Sequence, residues 1–210
     1  IIFHTDAVQA MCKEKIFPKD LKIGAMTVTA HKFYGPKGTG FVYIDKKFQI
    51  EKEIWGGSQE RNRRAGTENI QGILGLGAAM EEAYENMERI EATEEEIHEY
   101  LERRLKNEIE DVKINGEKSH RLKTITNLCL KGCDIQTLLI ALDLRGICVS
   151  GGSACMSGAH EDSYVLREMG LNSEELGSSF RISIGKDTTI EEIDYFVENL
   201  KEIAKIERGK

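Results

Sequence analysis

Proline occurs only twice and tryptophan once in 210 residues, so no proline-rich linker or recognition segment divides the chain. Low-complexity tracts and internal repeats are missing too, which excludes a repeat array. No apolar run approaches the roughly 20 residues of a membrane-spanning helix, and no charged region precedes an apolar stretch at the start in the manner of an export signal. A basic excess is lacking as well: 29 Lys and Arg stand against 36 Asp and Glu, for a net charge of -7 and a pI near 5.4. That balance offers no surface for nucleic acid. The five cysteines are odd in number and scattered, giving no disulfide framework. Cys129-x3-Cys133 has no second pair, and the five histidines form no ligand ladder, so the chain is expected to hold no metal of its own. The thiols read as reduced and the compartment as cytoplasmic. With 40% hydrophobic residues there is material for a sizeable core, and the length allows one or two domains.

What is present concentrates around Ala30-His31-Lys32-Phe33-Tyr34-Gly35-Pro36-Lys37-Gly38. A Lys-x4-Lys pair around a Gly-Pro turn is by itself an ordinary solvated loop. The context upstream changes the reading. Ile1-Ile2-Phe3-His4-Thr5 reads as a buried strand delivering Asp6 at its carboxyl end, with Gln9 one helical turn later. The apolar run Ala25-Met26-Thr27-Val28 ends in Thr29, His31 and Lys32, so two strands project polar ends into one crevice, where ligands of open α/β sheets bind. A lysine amine forms a Schiff base with an aldehyde, and a carboxylate against a pyridine nitrogen keeps that ring protonated. The cofactor that uses both is pyridoxal phosphate.

His4-Thr5-Asp6-Ala7-Val8-Gln9-Ala10, Thr29 to Gly38, Gly56-Gly57-Ser58-Gln59-Glu60-Arg61-Asn62-Arg63-Arg64-Ala65-Gly66-Thr67-Glu68-Asn69, Ser150-Gly151-Gly152-Ser153-Ala154-Cys155-Met156-Ser157-Gly158 and Ser178-Ser179-Phe180-Arg181-Ile182-Ser183-Ile184-Gly185 follow one another in order. Together they resemble the successive signatures of the NifS/IscS-type cysteine desulfurases, pyridoxal-phosphate enzymes of the class V aminotransferase type. The resemblance implies an α/β fold of the aspartate-aminotransferase-like fold type I, of which this chain would be the C-terminal part. It implies that Lys32 carries the cofactor as a Schiff base and moves the substrate Cα proton. Asp6 would pair with the ring nitrogen, Gln9 with the ring oxygen, and Thr29 and His31 with the phosphate and its surroundings. Thr67 would reach the phosphate across a homodimer interface, and Arg181 would clamp the substrate carboxylate. Cys155, in a loop of small residues, would take sulfur from L-cysteine as a persulfide, leaving L-alanine, and pass it to an iron-sulfur scaffold or another acceptor protein. An iron-sulfur cluster would meet Cys155 only transiently, through such a partner. His31 is also a candidate base for the Cys155 thiol.

Pattern divides the chain into residues 1–88, read as the remainder of a large cofactor domain, and 89–210, read as a small α/β domain carrying the cysteine loop. Gly38 to Ile44 reads as a strand, and Gly72 to Gly77 opens a helix. From Ala78 to Asp111 the chain is charged and helical, with a capping box at Thr93 and Glu96 and an apolar face of Ile97, Leu101, Leu105 and Ile109. A strand from Thr124 to Leu130 precedes a helix capped by Asp134, apolar at Ile135, Leu138, Leu139 and Leu142 and stopped at Gly146. Phe180 to Ile184 is a strand, and Thr188 with Glu191 caps a final helix whose stripe is Ile190, Ile193, Val197 and Leu200. Cys129 and Cys148 lie in apolar runs and are expected to be buried, while Cys12 and Cys133 have no evident partner.

Full-length members of the family carry a long segment before the His-x-Asp-Ala-x-Gln strand, with a phosphate-binding glycine loop and a histidine that stacks on the ring. Neither is in this sequence, so the chain reads as a fragment expected not to turn over alone. Trp55 stands where many relatives have histidine, and Met156 follows Cys155 where a hydroxyl residue is common. Other readings are a related pyridoxal-phosphate enzyme such as a selenocysteine lyase or aminotransferase, a non-catalytic dimerisation or scaffold-docking piece, and a purely structural remnant.

Overall fold

A computed structural model describes residues 1–151 and 163–209. The chain divides into two compact units, Ile1–Arg89 and Ile90–Lys210. The first is built on a three-stranded sheet of β1 (His4–Asp6), β2 (Ala25–Thr29) and β3 (Gly40–Ile44), with β1 parallel and β3 antiparallel to β2. Alternation along β2 separates two faces. Met26 and Val28 are buried with Ala7, Met11, Ile23, Ala30 and Phe33, against Phe41 and Tyr43 of β3 and Leu76, Ala79 and Met80 of helix α2 (Ile70–Glu85). Thr27 and Thr29 point the other way.

Several local expectations are corrected here. Ile1, Ile2 and Phe3 are exposed rather than buried. Among the described residues β1 pairs only with β2, Phe3 O accepting from the Gly24 and Ala25 N–H groups, and no layer covers Ile1 to Phe3. Helix α2 starts at Ile70, where the Asn69 side chain accepts the Gly72 N–H, ahead of the expected start at Gly72. A short helical turn, α1 (Gln59–Asn62), precedes it. The charged stretch is two helices, broken at Asn86, with α3 spanning Met87–Glu108. Thr93 therefore lies inside α3, where there is no free helix end for a capping box to satisfy.

In the second unit, β4 (Val112–Asn115), β5 (Ile125–Leu130) and β6 (Ser179–Ser183) form an antiparallel sheet in that order. Helices α4 (Ile135–Asp143) and α7 (Ile190–Glu207) join α3 in covering it. The expected α3 stripe is the seam: Ile97, Leu101, Leu105 and Ile109 are all buried, and Phe180, Leu128, Leu142, Val197 and Leu200 are wholly so. Asp134 caps α4 as expected, and Gly146, at φ +74°, lets the chain turn out of it. The α7 cap is one residue later than the sequence suggests. Thr189 and Glu192 form the capping box, because Thr188 Oγ1 already accepts the Gly185 N–H of the preceding turn. Two short helices, α5 (Tyr164–Glu168) and α6 (Ser173–Gly177), complete the unit. Among the cysteines, Cys129 and Cys133 are buried but Cys148 is exposed, since it follows α4 in a segment that joins β6 only through a bridge between Ser150 and Arg181.

Candidate active site

Parallel pairing of β1 and β2 brings their carboxyl ends to the same end of the sheet. In that register His4 lies opposite Ala25 and Asp6 opposite Thr27, which puts His4, Asp6, Thr27 and Thr29 on the face away from the core. His4 Nε2 is 2.9 Å from Thr27 Oγ1. Asp6 Oδ1 accepts the Val8 N–H at 2.9 Å, fixing the carboxylate at the strand end while Oδ2 has no partner among the described residues. His4 and Thr27 were not singled out from the sequence. The signal was there in the alternation, because any residue two positions from Asp6 or Thr29 shares their face.

Lys32 does not end a strand as the sequence suggests. β2 stops at Thr29 and the chain enters a 3₁₀ helix, Ala30–Phe33. Two backbone bonds force the change: Ala30 N–H donates to Thr39 O, and Gly35 N–H returns to Ala30 O, both at 2.9 Å. Phe33 and Ala30 bury themselves, leaving His31 and Lys32 exposed. A side chain at Gly35 would meet Ala30 Cβ at 2.8 Å, so this turn admits no larger residue there. The Thr29 hydroxyl donates to Thr39 O at 3.3 Å and lies 3.1 Å from His31 Nδ1. With its hydrogen so used, Thr29 accepts from the Nδ1–H tautomer of His31. The Lys32 amine forms no hydrogen bond or ion pair among the described residues.

Gln9 is exposed in the turns after β1, and Thr67 is exposed in the loop ahead of α2. That loop follows an unusual turn in which Glu60, Arg61 and Asn62 all have left-handed backbone, with φ of 50°, 56° and 64°. Three such residues in succession cost on the order of 1–2 kcal/mol each. The loop is tied back by Gln59 Oε1, which accepts the Gly66 N–H. Asp6, Thr29, His31 and Lys32 thus meet at one sheet end, while Gln9 and Thr67 stand on separate loops of the same unit. In the second unit Arg181 lies on β6, half-buried, its Nε enclosed and without a hydrogen-bond partner among the described residues. Its backbone exchanges hydrogen bonds with Ser150 at 2.6 and 3.1 Å. Cys155 lies outside the described residues.

A carboxylate at the end of one strand and an amine in the turn after its neighbour, beside a hydroxyl and an imidazole, suit a pyridinium aldehyde phosphate, and the open valences of Asp6 and Lys32 fit it. Fold and site define an α/β unit of the pyridoxal-phosphate transferase type, fold type I. Residues 1–196 match the model of the aminotransferase class-V family, and the chain belongs to that family. It is 45% identical over 210 residues to cysteine desulfurase IscS of Clostridium botulinum, covering 99% of this chain and 53% of the relative. A solved NifS-like protein from Rickettsia africae matches with a TM-score of 0.87 at 34% identity, over 96% of this chain and 53% of that one. SspA, solved in complex with cysteine, matches with a TM-score of 0.69 at 30% identity, over 90% and 52%. The chain spans about half the length of the relatives it matches. No helix among the described residues is long and apolar enough to cross a membrane.

Proposed function

We propose that this chain is the part of a pyridoxal-phosphate-dependent cysteine desulfurase that supplies the Schiff-base lysine, the ring-nitrogen carboxylate and the sulfur-accepting cysteine. The observation that carries the reading is that parallel β1 and β2 end on the same side of the sheet, Asp6 at the end of β1 and Lys32 in the 3₁₀ turn that directly follows β2. When bound, the cofactor supplies an electron sink that makes the substrate Cα proton removable. Lys32 holds the cofactor and then takes that proton as its neutral amine. Asp6 accepts the ring N–H, and its short tether to Val8 N keeps the carboxylate oriented. Gln9 faces the ring oxygen, and Thr29 and His31 bind the phosphate and its surroundings, Thr29 by turning its hydroxyl hydrogen from Thr39 O to a phosphate oxygen. Thr67 donates to the phosphate of a second subunit, which makes the functional form a homodimer. Arg181 binds the substrate carboxylate. Cys155, as thiolate, attacks the sulfur of L-cysteine: a sulfur-sulfur bond forms, the carbon-sulfur bond breaks, and L-alanine leaves a persulfide on the enzyme. That sulfur passes to an iron-sulfur scaffold or another acceptor protein, in the cytoplasm. Ile1–Arg89 serves as the remainder of the large cofactor domain and Ile90–Lys210 as the small domain.

The test is the intact protein with L-cysteine and pyridoxal phosphate, following alanine release and persulfide labelling separately. Lys32→Ala should abolish both, and Cys155→Ser should abolish the label while the cofactor remains bound. Alanine release by Cys155→Ser at the unmodified rate would refute the desulfurase assignment in favour of a lyase that needs no thiol.

A further inference from the structure

The polar face of the second sheet carries one row that crosses all three strands: Asn115 opposite Asn127, and Asn127 opposite Arg181. Residues directly opposite in an antiparallel pair share a face, with Cβ atoms about 5 Å apart. A hydrogen-bond relay orients the amides, although it leaves Asn115 Oδ1 buried without a partner among the described residues. The Ser179 hydroxyl donates to Glu175 O at 2.6 Å, so its oxygen can only accept from Asn115, whose Nδ2 lies 3.2 Å away. The second Nδ2 hydrogen of Asn115 goes to Asn127 Oδ1 at 2.7 Å. Reversing the Asn115 amide would place its oxygen against a hydroxyl whose hydrogen is already committed, with two acceptors facing each other. Asn127 therefore presents its oxygen to Asn115 and has its NH₂ free.

That free NH₂ sits in register beside Arg181, whose enclosed Nε has no partner. Neither side chain has an acceptor among the described residues. Two donors cannot satisfy each other, and the enclosed Arg181 Nε is costly to leave unpaired. From this juxtaposition we infer that Asn127 is a substrate-binding residue, its amide nitrogen and the Arg181 guanidinium together gripping the carboxylate of an α-amino acid. The inference rests on the assignment of Arg181 to the substrate carboxylate and adds a second, neutral donor held by a rigid strand. A carboxylate with two oxygens to satisfy takes one charged and one neutral donor, and the relay from Glu175 through Ser179 and Asn115 keeps the amide from rotating away.

The test uses L-alanine as probe and alaninamide, which lacks the carboxylate, as its control, with the intact cofactor-loaded protein. Side-chain ¹⁵N–¹H signals of Asn127 Nδ2 and Arg181 Nε should both shift on titration with L-alanine and stay put with alaninamide. Asn127→Asp keeps the oxygen that Asn115 needs but loses the donor, and should weaken L-alanine binding tenfold or more; for L-cysteine turnover it should raise KM with kcat held within about twofold. Arg181→Lys should weaken binding at least as much. If Arg181→Lys weakens binding but Asn127→Asp does not, and the Asn127 signal stays still in the unsubstituted protein, the role of Asn127 is overturned while that of Arg181 stands. If neither substitution alters binding, the underlying assignment of Arg181 fails instead. The wild-type signals decide the matter even where a variant folds poorly.

Discussion

Glu102, on α3, is the acceptor at the centre of a buried polar cluster, and removing it gives a sharp test of the packing described. Its Oε1 lies 2.5 Å from the Arg121 guanidinium and 3.2 Å from His98 Nε2, and the Thr126 hydroxyl donates to it at 3.3 Å. His98, Glu102 and Thr126 are each more than nine-tenths buried. Glu102→Ala removes the carboxylate that the Arg121 charge and the histidine share, leaving Arg121 only the Ile125 carbonyl among the described residues. Breaking one side of a buried pair costs about 3–5 kcal/mol, and because a fifth of the Arg121 side chain remains exposed the expected loss is near the lower end, about 3 kcal/mol. Burial holds the His98 pKa below its ordinary value, opposed by Glu102 and reinforced by Arg121 and Lys123. The folded chain thus binds fewer protons than the unfolded chain between the two values. Stability must therefore fall as pH drops below the ordinary histidine pKa of about 6.5. Without Glu102 the opposing charge is gone, the folded value falls further, and the loss continues to lower pH. Trp55, the sole tryptophan, lies in the other unit, so its fluorescence is the wrong reporter. Hydrogen exchange of the β5 amides, with urea denaturation followed by far-ultraviolet circular dichroism, reads the second unit directly. A loss below about 1 kcal/mol, or a variant whose pH dependence is flatter than that of the unsubstituted chain, would refute the reasoning.

Four further outcomes are expected. Phe180→Ala, at a wholly buried position of β6, should cost about 3–5 kcal/mol through the cavity it leaves, read as a lower urea midpoint with an unchanged slope. Gly40→Ala would drive a methyl group into Val28 O, a backbone atom that cannot yield; it should lower stability by about 3 kcal/mol and loosen the β2–β3 amides in hydrogen exchange. Thr189→Ala should cost about 1 kcal/mol by uncapping α7, measured as a drop in Tm, and more than Thr188→Ala if the cap sits where the hydrogen bonds put it. In the folded chain a thiol reagent should label Cys148 quickly and Cys129 and Cys133 slowly, because burial raises the latter two pKa values; equal rates by mass spectrometry would contradict this.

Much of the second unit was legible because its helices carry an unbroken apolar period. Ile97 to Ile109 and Ile193 to Leu200 announce their buried faces, and Asp134 announces a helix start. What escaped was set by competition between nearly equivalent neighbours. Thr188 and Thr189 are both competent caps, and only the demand of Gly185 N for an acceptor chooses between them. Val112–Asn115 is four residues with a lysine and an asparagine on one face, too short to show a period. At the candidate site the sequence placed Asp6, Thr29, His31 and Lys32 at the polar ends of two apolar runs, yet the 3₁₀ turn that presents Lys32 was not legible. It depends on Thr39 O, nine residues downstream, intercepting the Ala30 amide. Ile1 to Phe3 misled for the opposite reason, since their composition is that of a covered strand while their place is at an edge.

The left-handed run at Glu60, Arg61 and Asn62 has a bearing on how this region can vary. Asparagine tolerates the mirror-image backbone comparatively well, unbranched chains such as Glu and Arg bear it at a cost, and β-branched residues resist it most. Evolution's permitted alphabet along those three positions is therefore narrowed by chirality before any contact is considered. Drift in the segment leading to Thr67 is throttled by handedness, and a valine or isoleucine there would be selected against even if its side chain touched nothing.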